Sequence, residues 1–301
     1  MEIGLFGFVP DLDTARVQMR QAAADGFASY WIPQAFGPDT LTIIAAVGQE
    51  SAPMRIGTAV IPTYPRHPQM LAQQALTVQQ AIGDRLVLGI GPSHQVVIEG
   101  QWGMSFDKPV RHVREYLEIL MPLLATQKAS VKGETLTCRA EIAVPGAPAP
   151  KVMVAALGPQ LLKVTGRLCD GTITWMTGPN TIRTMTAPTL SAAAEAAGRP
   201  APEVVSGFPI CVTDDSAAAR ERAAKSFAMY GTLPSYRAML DHEGYGGPGD
   251  IAIVGGEGEV TERIAALNDA GVTTFAASPF GSRDERARTN ELLVSLLGAF
   301  R

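Results

Sequence analysis

Eight apolar, β-leaning runs punctuate the chain: Ile3–Val9, Ala28–Pro33, Arg55–Ile61, Arg85–Gly91, Lys151–Ala156, Gly171–Met176, Val204–Thr213 and Val272–Ser278. Most show no polar alternation, which is the pattern of strands buried on both faces. Between them lie Ala/Leu/Gln-rich stretches with helical spacing. Asp13 can cap a helix running to Gly26, with Val17 and Ala22–Ala24 facing inward. Pro68–Ile82 sets Met70, Leu71, Ala75, Val78 and Ile82 on one face, and Pro68 suits a first helical turn. Leu161, Leu162, Thr165 and Leu168 form another stripe. Thr261 can cap a further helix that carries Ile264, Ala265, Leu267 and Ala270. The pairs Asp25-Gly26, Gly83-Asp84, Asp170-Gly171 and Ala270-Gly271 read as helix stops that lead into strands, because glycine takes left-handed backbone at little cost.

This repetition of helix, stop and buried strand predicts alternating βα units on a parallel sheet. Eight such units in 301 residues predict a (β/α)8 TIM barrel, a single domain over residues 1–301, with a doubly wound open sheet as the rival. Two segments interrupt the alternation. Pro92–Pro150, after strand four, holds a helical stretch at His112–Ala125, the hairpin-like VKGETLTCR and the Pro-rich VPGAPAP. Phe227–Gly249, after strand seven, ends in the Gly-rich EGYGGPGD. Connections this long are usually lids, binding loops or interfaces.

Composition narrows the function classes. Apolar residues at 46% and charged residues at 18% suffice for a sizeable core, which excludes a disordered chain. The net charge of −4 gives no electrostatic reason to bind nucleic acid or an anionic membrane. Cys138, Cys169 and Cys211 are far apart and form no C-x-x-C, which argues against a disulfide scaffold or structural zinc. The start IGLFGFV does not read as a secretory signal, and no apolar run approaches the ~18–20 residues of a bilayer span. The expectation is a soluble cytoplasmic protein.

Chemistry-bearing residues cluster at predicted strand ends. VLGIGPSH (Val87–His94) is not a dinucleotide fingerprint, since His94 stands where a third glycine would be. It reads either as a sharp turn or as a site where Gly91 admits a flat ligand and Ser93 and His94 supply polar groups. In VAALGPQLLKVTGR (Val154–Arg167), free N–H groups at the helix start could hold an anionic or carbonyl group, or the segment is a compact βα turn. GGEGE (Gly255–Glu259) reads as a structural turn, because its carboxylates would repel phosphate. The histidines at 67, 94, 112 and 242 show no metal-site spacing. His67 suits orientation or capping, His94 is the best acid/base candidate, and Glu99 is second. Trp31, Trp102, Trp175, Phe6 and Phe8 could line a planar pocket or pack in the core.

The order of these segments resembles the bacterial luciferase-like flavin monooxygenase family, in particular its coenzyme F420-dependent oxidoreductase branch. IGLFGF looks like the family's first strand, and DGFASYWIPQAFGPDTLTIIAAVG like the second strand and its helix. MRIGTAVIPTYPRHPQMLAQQALTVQQAIGDRLVLGIGPSH is similar to strands three and four, VMVAALGPQLLKVTGRLCDGTITW to the fifth and sixth, and EVTERIAALNDAGVTTFAAS to the last helix and strand. The resemblance implies a barrel with the cofactor ring at the C-terminal strand ends. It implies a cis non-prolyl peptide at Ala59-Val60, behind the ring and next to Thr58. It sets Gly91, Ser93 and His94 facing the ring, and Ala155, Ala156, Leu157, Gly158 and Pro159 at the ring edge or the phosphate-bearing chain. It sets Trp175, Met176, Thr177 and Gly178 near the ribityl-phosphate end, and Gln34 and Asp39 at the mouth after strand two. The sugar-phosphate dehydrogenases of this branch carry Asp-His after strand two and an acid just beyond strand four. Pro33-Gln34 and Pro92-Ser93-His94 stand there instead, which argues against sugar-phosphate oxidation. The implied activity is hydride transfer between F420 and a small organic substrate, with His94 catalytic, no metal, and a homodimer. The alternatives are an FMN-dependent monooxygenase or reductase, or a non-catalytic flavin-binding barrel.

Overall fold

The computed structural model describes residues 1–300. Its eight barrel strands are β1 (Glu2–Phe6), β2 (Ser29–Ile32), β3 (Arg55–Thr58), β4 (Leu86–Gly91), β5 (Lys151–Val154), β6 (Gly171–Trp175), β7 (Glu203–Val212) and β8 (Thr274–Pro279). All pair in parallel in chain order, and β8 pairs back onto β1, so the sheet closes and the open-sheet rival is excluded. Every strand overlaps a run that the apolar pattern marks, with Glu2, Glu203 and Pro279 each lying one residue outside it. A short edge strand, Ile253–Gly255, flanks the end of β7.

Closure divides the apolar residues between two spaces. The larger core lies between the strands and the surrounding helices. The bore is filled by Phe6, Trp31, Val87, Met153, Ile173, Val205 and Ala276, one from each strand except β3. The pairing of Trp31 with Gly57 explains the exception. A Cβ on Gly57 would lie 2.2 Å from the Trp31 indole, so the indole fills the place of a β3 side chain. The Trp31 Nε1–H donates to Ser29 Oγ at 2.9 Å, which satisfies its one buried donor. After Thr58 the Ala59-Val60 peptide is cis, as the resemblance implies, and Ile61–Pro62 then pair with β4. The Thr58 hydroxyl donates to Gly89 O at 2.7 Å and accepts from Gly89 N at 2.9 Å, joining β3 to β4 where the chain bends.

Both insertions are ordered. The first contains the helix Pro109–Thr126 and an antiparallel hairpin, Lys128–Lys132 with Thr137–Glu141. Glu115 holds the hairpin turn by accepting from the backbone N–H groups of Glu134, Thr135 and Leu136 and from the Thr135 hydroxyl. The second contains the helix Pro234–Glu243.

Several local expectations are corrected. Asp11, not Asp13, caps the first helix, and Ala15, Met19 and Ala22 face inward while Val17 is exposed. Met70 is likewise exposed beside the buried Leu71, Ala75 and Val78. The sequence GGEGE is a helix start: Gly256 is the N-cap of Glu257–Asp269, and Thr261 lies inside that helix. Glu257 and Glu259 fall in the first turn, where the helix dipole favours acids. Gly171 opens β6 and is pinned by a close approach to Glu203 O, whereas Gly26, Gly83 and Gly271 do take left-handed backbone. His67 caps the helix Pro68–Ala81 by accepting from Gln69 N, in line with its orienting role.

Candidate active site

The C-terminal strand ends open into a cavity of about 1340 Å³. Barrel chemistry sits at this face as a rule. Pockets for drug-sized ligands measure roughly 300–1,000 Å³, so this one is larger than most. Its bed is made of small or flat groups. Ala59 and Val60 come from the bend after β3, Ala155 follows β5, and Phe6 and Trp175 end β1 and β6. The Phe6 and Trp175 rings stack with centroids 4.8 Å apart. Gly91 lies beneath this bed: a Cβ there would meet Val60 Cγ2 at 2.9 Å and Ala155 Cβ at 3.0 Å.

One wall is the start of the helix Pro159–Leu168, where Leu157, Gly158, Pro159, Gln160 and Leu161 line the cavity. Gly158 is the N-cap and supplies no side-chain cap, so the first turn has N–H groups to offer an acceptor. The opposite wall comes from the insertions, with Val96, Glu99, Phe106 and Val110 from the first and Met229, Leu233 and Tyr236 from the second.

His94 borders the cavity directly after β4. Its side chain makes no hydrogen bond among the described residues, and its ring meets the Tyr236 ring edge to face at 5.8 Å. Burial holds its pKa below the ordinary histidine value, so the imidazole is neutral at pH 7. Both Glu99 oxygens are engaged, one accepting from Phe106 N at 3.2 Å and the other from Gln95 Nε2 at 2.9 Å. Deeper under this wall, Tyr64 stacks on His112 at 3.9 Å and on Phe106 at 5.5 Å. Burial, with the nearby carboxylates of Asp107 and Glu99, pushes its phenol up to about 12. Ser93 and Met176 have φ of 61° and 51°, left-handed values uncommon for non-glycine residues and shared here with Asp84, Lys108 and Gln127.

Of the residues marked in the sequence, Phe6, Ala59, Val60, Ser93, His94, Glu99, Ala155, Leu157, Gly158, Pro159 and Trp175 line one cavity. Gly91, Ala156 and Thr58 are buried behind it. The rest do not border it. Gln34 and Asp39 serve the helix Thr40–Val47, accepting from Thr40 N and Thr42 N, and Asp39 also pairs with Arg66. Met176 and Thr177 are buried, and Gly178 packs against Glu243, whose carboxylate accepts from Thr181 N at 2.5 Å. Trp31 is core and Phe8 is exposed. Sequence reasoning did not single out Phe106, Leu233 or Tyr236. Insertion residues follow no strand or helix register toward the barrel, and the one available signal was the helix-opening Pro234.

Among the described residues no cluster of His, Cys, Asp and Glu could hold a metal, and no helix is long and apolar enough to cross a membrane. The chain is similar to 5,10-methylenetetrahydromethanopterin reductase of Methanolobus tindarius, 24% identical over 93% of this chain and 95% of that one. A Mycobacterium tuberculosis protein provisionally named a coenzyme F420-dependent oxidoreductase is 30% identical over 57% of this chain, and the match spans about half (53%) of its own length. Among solved structures, the F420-dependent tetrahydromethanopterin reductase of Methanopyrus kandleri superposes with a TM-score of 0.81 at 18% identity, covering 100% of this chain and 99% of that one. The FMN complex of the oxygenating constituent of 3,6-diketocamphane monooxygenase from Pseudomonas putida gives 0.77 at 18% identity, covering 100% and 97%. The luciferase-like monooxygenase profile matches residues 4–274, and the chain belongs to that family.

Proposed function

We propose that the chain is a coenzyme F420-dependent oxidoreductase that passes hydride between the deazaflavin ring and a small organic substrate. The observation that carries this reading is the single large cavity whose lining joins Phe6, Ala59, Val60, Ala155 and Trp175 at the strand ends to neutral His94. A planar tricycle fits the bed because Gly91 and the alanines leave the strand ends low. The uncapped first turn at Gly158–Leu161 offers N–H groups to a phosphate. When bound, the deazaflavin supplies or accepts a hydride at its central ring carbon.

The remaining work falls to the chain's own side chains. Phe6, Trp175 and the bend at Ala59-Val60 fix the plane of the ring. The insertion walls exclude water from the face above it. Neutral His94, with both ring nitrogens free of protein partners, would accept the hydroxyl proton when an alcohol is oxidised, and the resulting imidazolium would return it to the carbonyl oxygen in the reverse direction. Purified protein should bind F420, and turnover should change the cofactor's visible absorbance. A homodimer in the cytoplasm is part of the same proposal, and size-exclusion chromatography with light scattering tests the assembly.

One observation favours FMN as the second reading. No Lys or Arg lines the cavity among the described residues, so nothing there would pair with the acidic tail of F420. Yellow protein with a flavin spectrum after purification would select it.

A further inference from the structure

The cavity above the ring bed has a distinctive charge inventory. Its ionisable lining side chains are His94, Glu99 and Tyr236, with no Lys or Arg. His94 is neutral, and both Glu99 oxygens already accept protein donors. A substrate anion entering here would lose its hydration, find no side-chain cation, and face a carboxylate. The other lining groups on this side carry no charge: Val96, Phe106, Val110, Met229, Leu233 and Pro234 are apolar, and Ser93, Gln95, Thr232 and Ser235 are neutral polar groups.

Among the neutral polar groups, Tyr236 is the one whose ring lies against His94. Tyr236 opens the insertion helix Pro234–Glu243, borders the cavity, and makes no side-chain hydrogen bond to any described residue. Its ring lies against His94 at 5.8 Å and against Tyr230 at 4.8 Å. Tyr230 in turn reaches Trp175 at 6.4 Å, which stacks on Phe6. The second insertion is thereby tied by aromatic contacts to both the bed and the acid/base candidate. Burial raises the Tyr236 pKa, so the phenol stays protonated and offers a donor.

We infer that the substrate is an uncharged, largely apolar carbonyl or alcohol compound, and that Tyr236 is the positioning residue that hydrogen-bonds its oxygen beside His94. This rests on the oxidoreductase reading for the chemistry and on the cavity lining alone for the selectivity.

The test uses a matched pair of probes, acetophenone and its para-carboxylate, titrated calorimetrically into the full chain with and without F420. F420 loading is scored separately by the cofactor's fluorescence, so a failure to load counts against the cofactor reading while probe selectivity still judges the pocket. Acetophenone should bind about tenfold or more tighter than the carboxylate. Tyr236→Phe should weaken acetophenone about tenfold, the scale of one hydrogen bond, while leaving F420 affinity and the melting temperature unchanged. Equal or tighter binding of the carboxylate, or no binding of acetophenone at millimolar concentration, overturns the substrate class. Unchanged acetophenone affinity in Tyr236→Phe overturns the role of the phenol.

Discussion

Phe6 at the end of β1 and Trp175 at the end of β6 stack across the barrel mouth, with centroids 4.8 Å apart and planes 29° from parallel. The contact caps the bore contents beneath and forms part of the cavity bed above. Trp175 Nε1 is buried without a protein partner, so its position rests on ring contacts with Phe6, Phe227 and Tyr230.

Trp175→Ala removes all three contacts. Aromatic pairs contribute about 0.5–1.5 kcal/mol each beyond area burial, so F420 affinity should fall at least ~tenfold and the melting temperature should also drop. Trp175→Phe retains the stack and should recover most of the affinity. Fluorescence titration and calorimetry measure both effects.

Gly89 and Gly91 separate fold from site within one strand. A Cβ on Gly89 would lie 1.9 Å from Thr58 O, a backbone atom, whereas one on Gly91 meets the side chains of Val60 and Ala155. Gly89→Ala should therefore destabilise the barrel by at least the ~1–3 kcal/mol typical of overpacking. Gly91→Ala should cost less stability and lower F420 affinity by pushing up the bed. Urea unfolding and cofactor titration on the same two variants decide the matter.

His94 predicts a pH dependence of turnover. Its pKa lies below the ordinary 6.5 through burial, so the ring is neutral at pH 7 and takes up a proton only under more acidic conditions. The pH profile should show an inflection below about pH 6.5. His94→Ala should lose that inflection and about 100-fold or more in kcat, the usual contribution of general acid–base catalysis. A profile unchanged by the substitution would remove His94 from the mechanism.

His112 predicts a pH dependence of stability. Its ring is buried, accepts or donates to Thr63 Oγ1 at 3.0 Å, and has its pKa pushed down to about 4 by burial, against a smaller opposing pull from Glu115. The unfolded chain binds a proton near 6.5, so it holds more protons than the folded chain between about pH 6.5 and 4, and stability falls as pH drops through that window. The full difference corresponds to roughly 3 kcal/mol. His112→Gln should reduce this acid sensitivity, as read from urea midpoints at neutral and acidic pH.

The barrel was legible in the sequence because a closed parallel sheet buries both faces of each strand, and unbroken runs such as Leu86–Gly91 record that directly. Helix caps were less legible. Asp11 and Asp13 are chemically alike, and only the chain's approach angle makes Asp11 the acceptor of Thr14 N. Part of the site was legible for the same reason as the barrel, since Gly91 and the small residues after Val154 stand at strand ends that the pattern marks, whereas Ala59-Val60 was reached through the family resemblance. Tyr236 was not, because its place depends on how an irregular insertion folds back over the mouth. Gln34 and Asp39 show the converse: strand-end position put them near the mouth, and competition from the unpaired N–H groups of a helix start claimed their side chains.

The most direct test adds F420 and FMN separately to purified protein and measures both dissociation constants. The account predicts that F420 binds at micromolar concentration and more tightly than FMN, with the affinity lowered by Trp175→Ala and by Gly91→Ala. Tighter binding of FMN, or binding of neither cofactor, would contradict it.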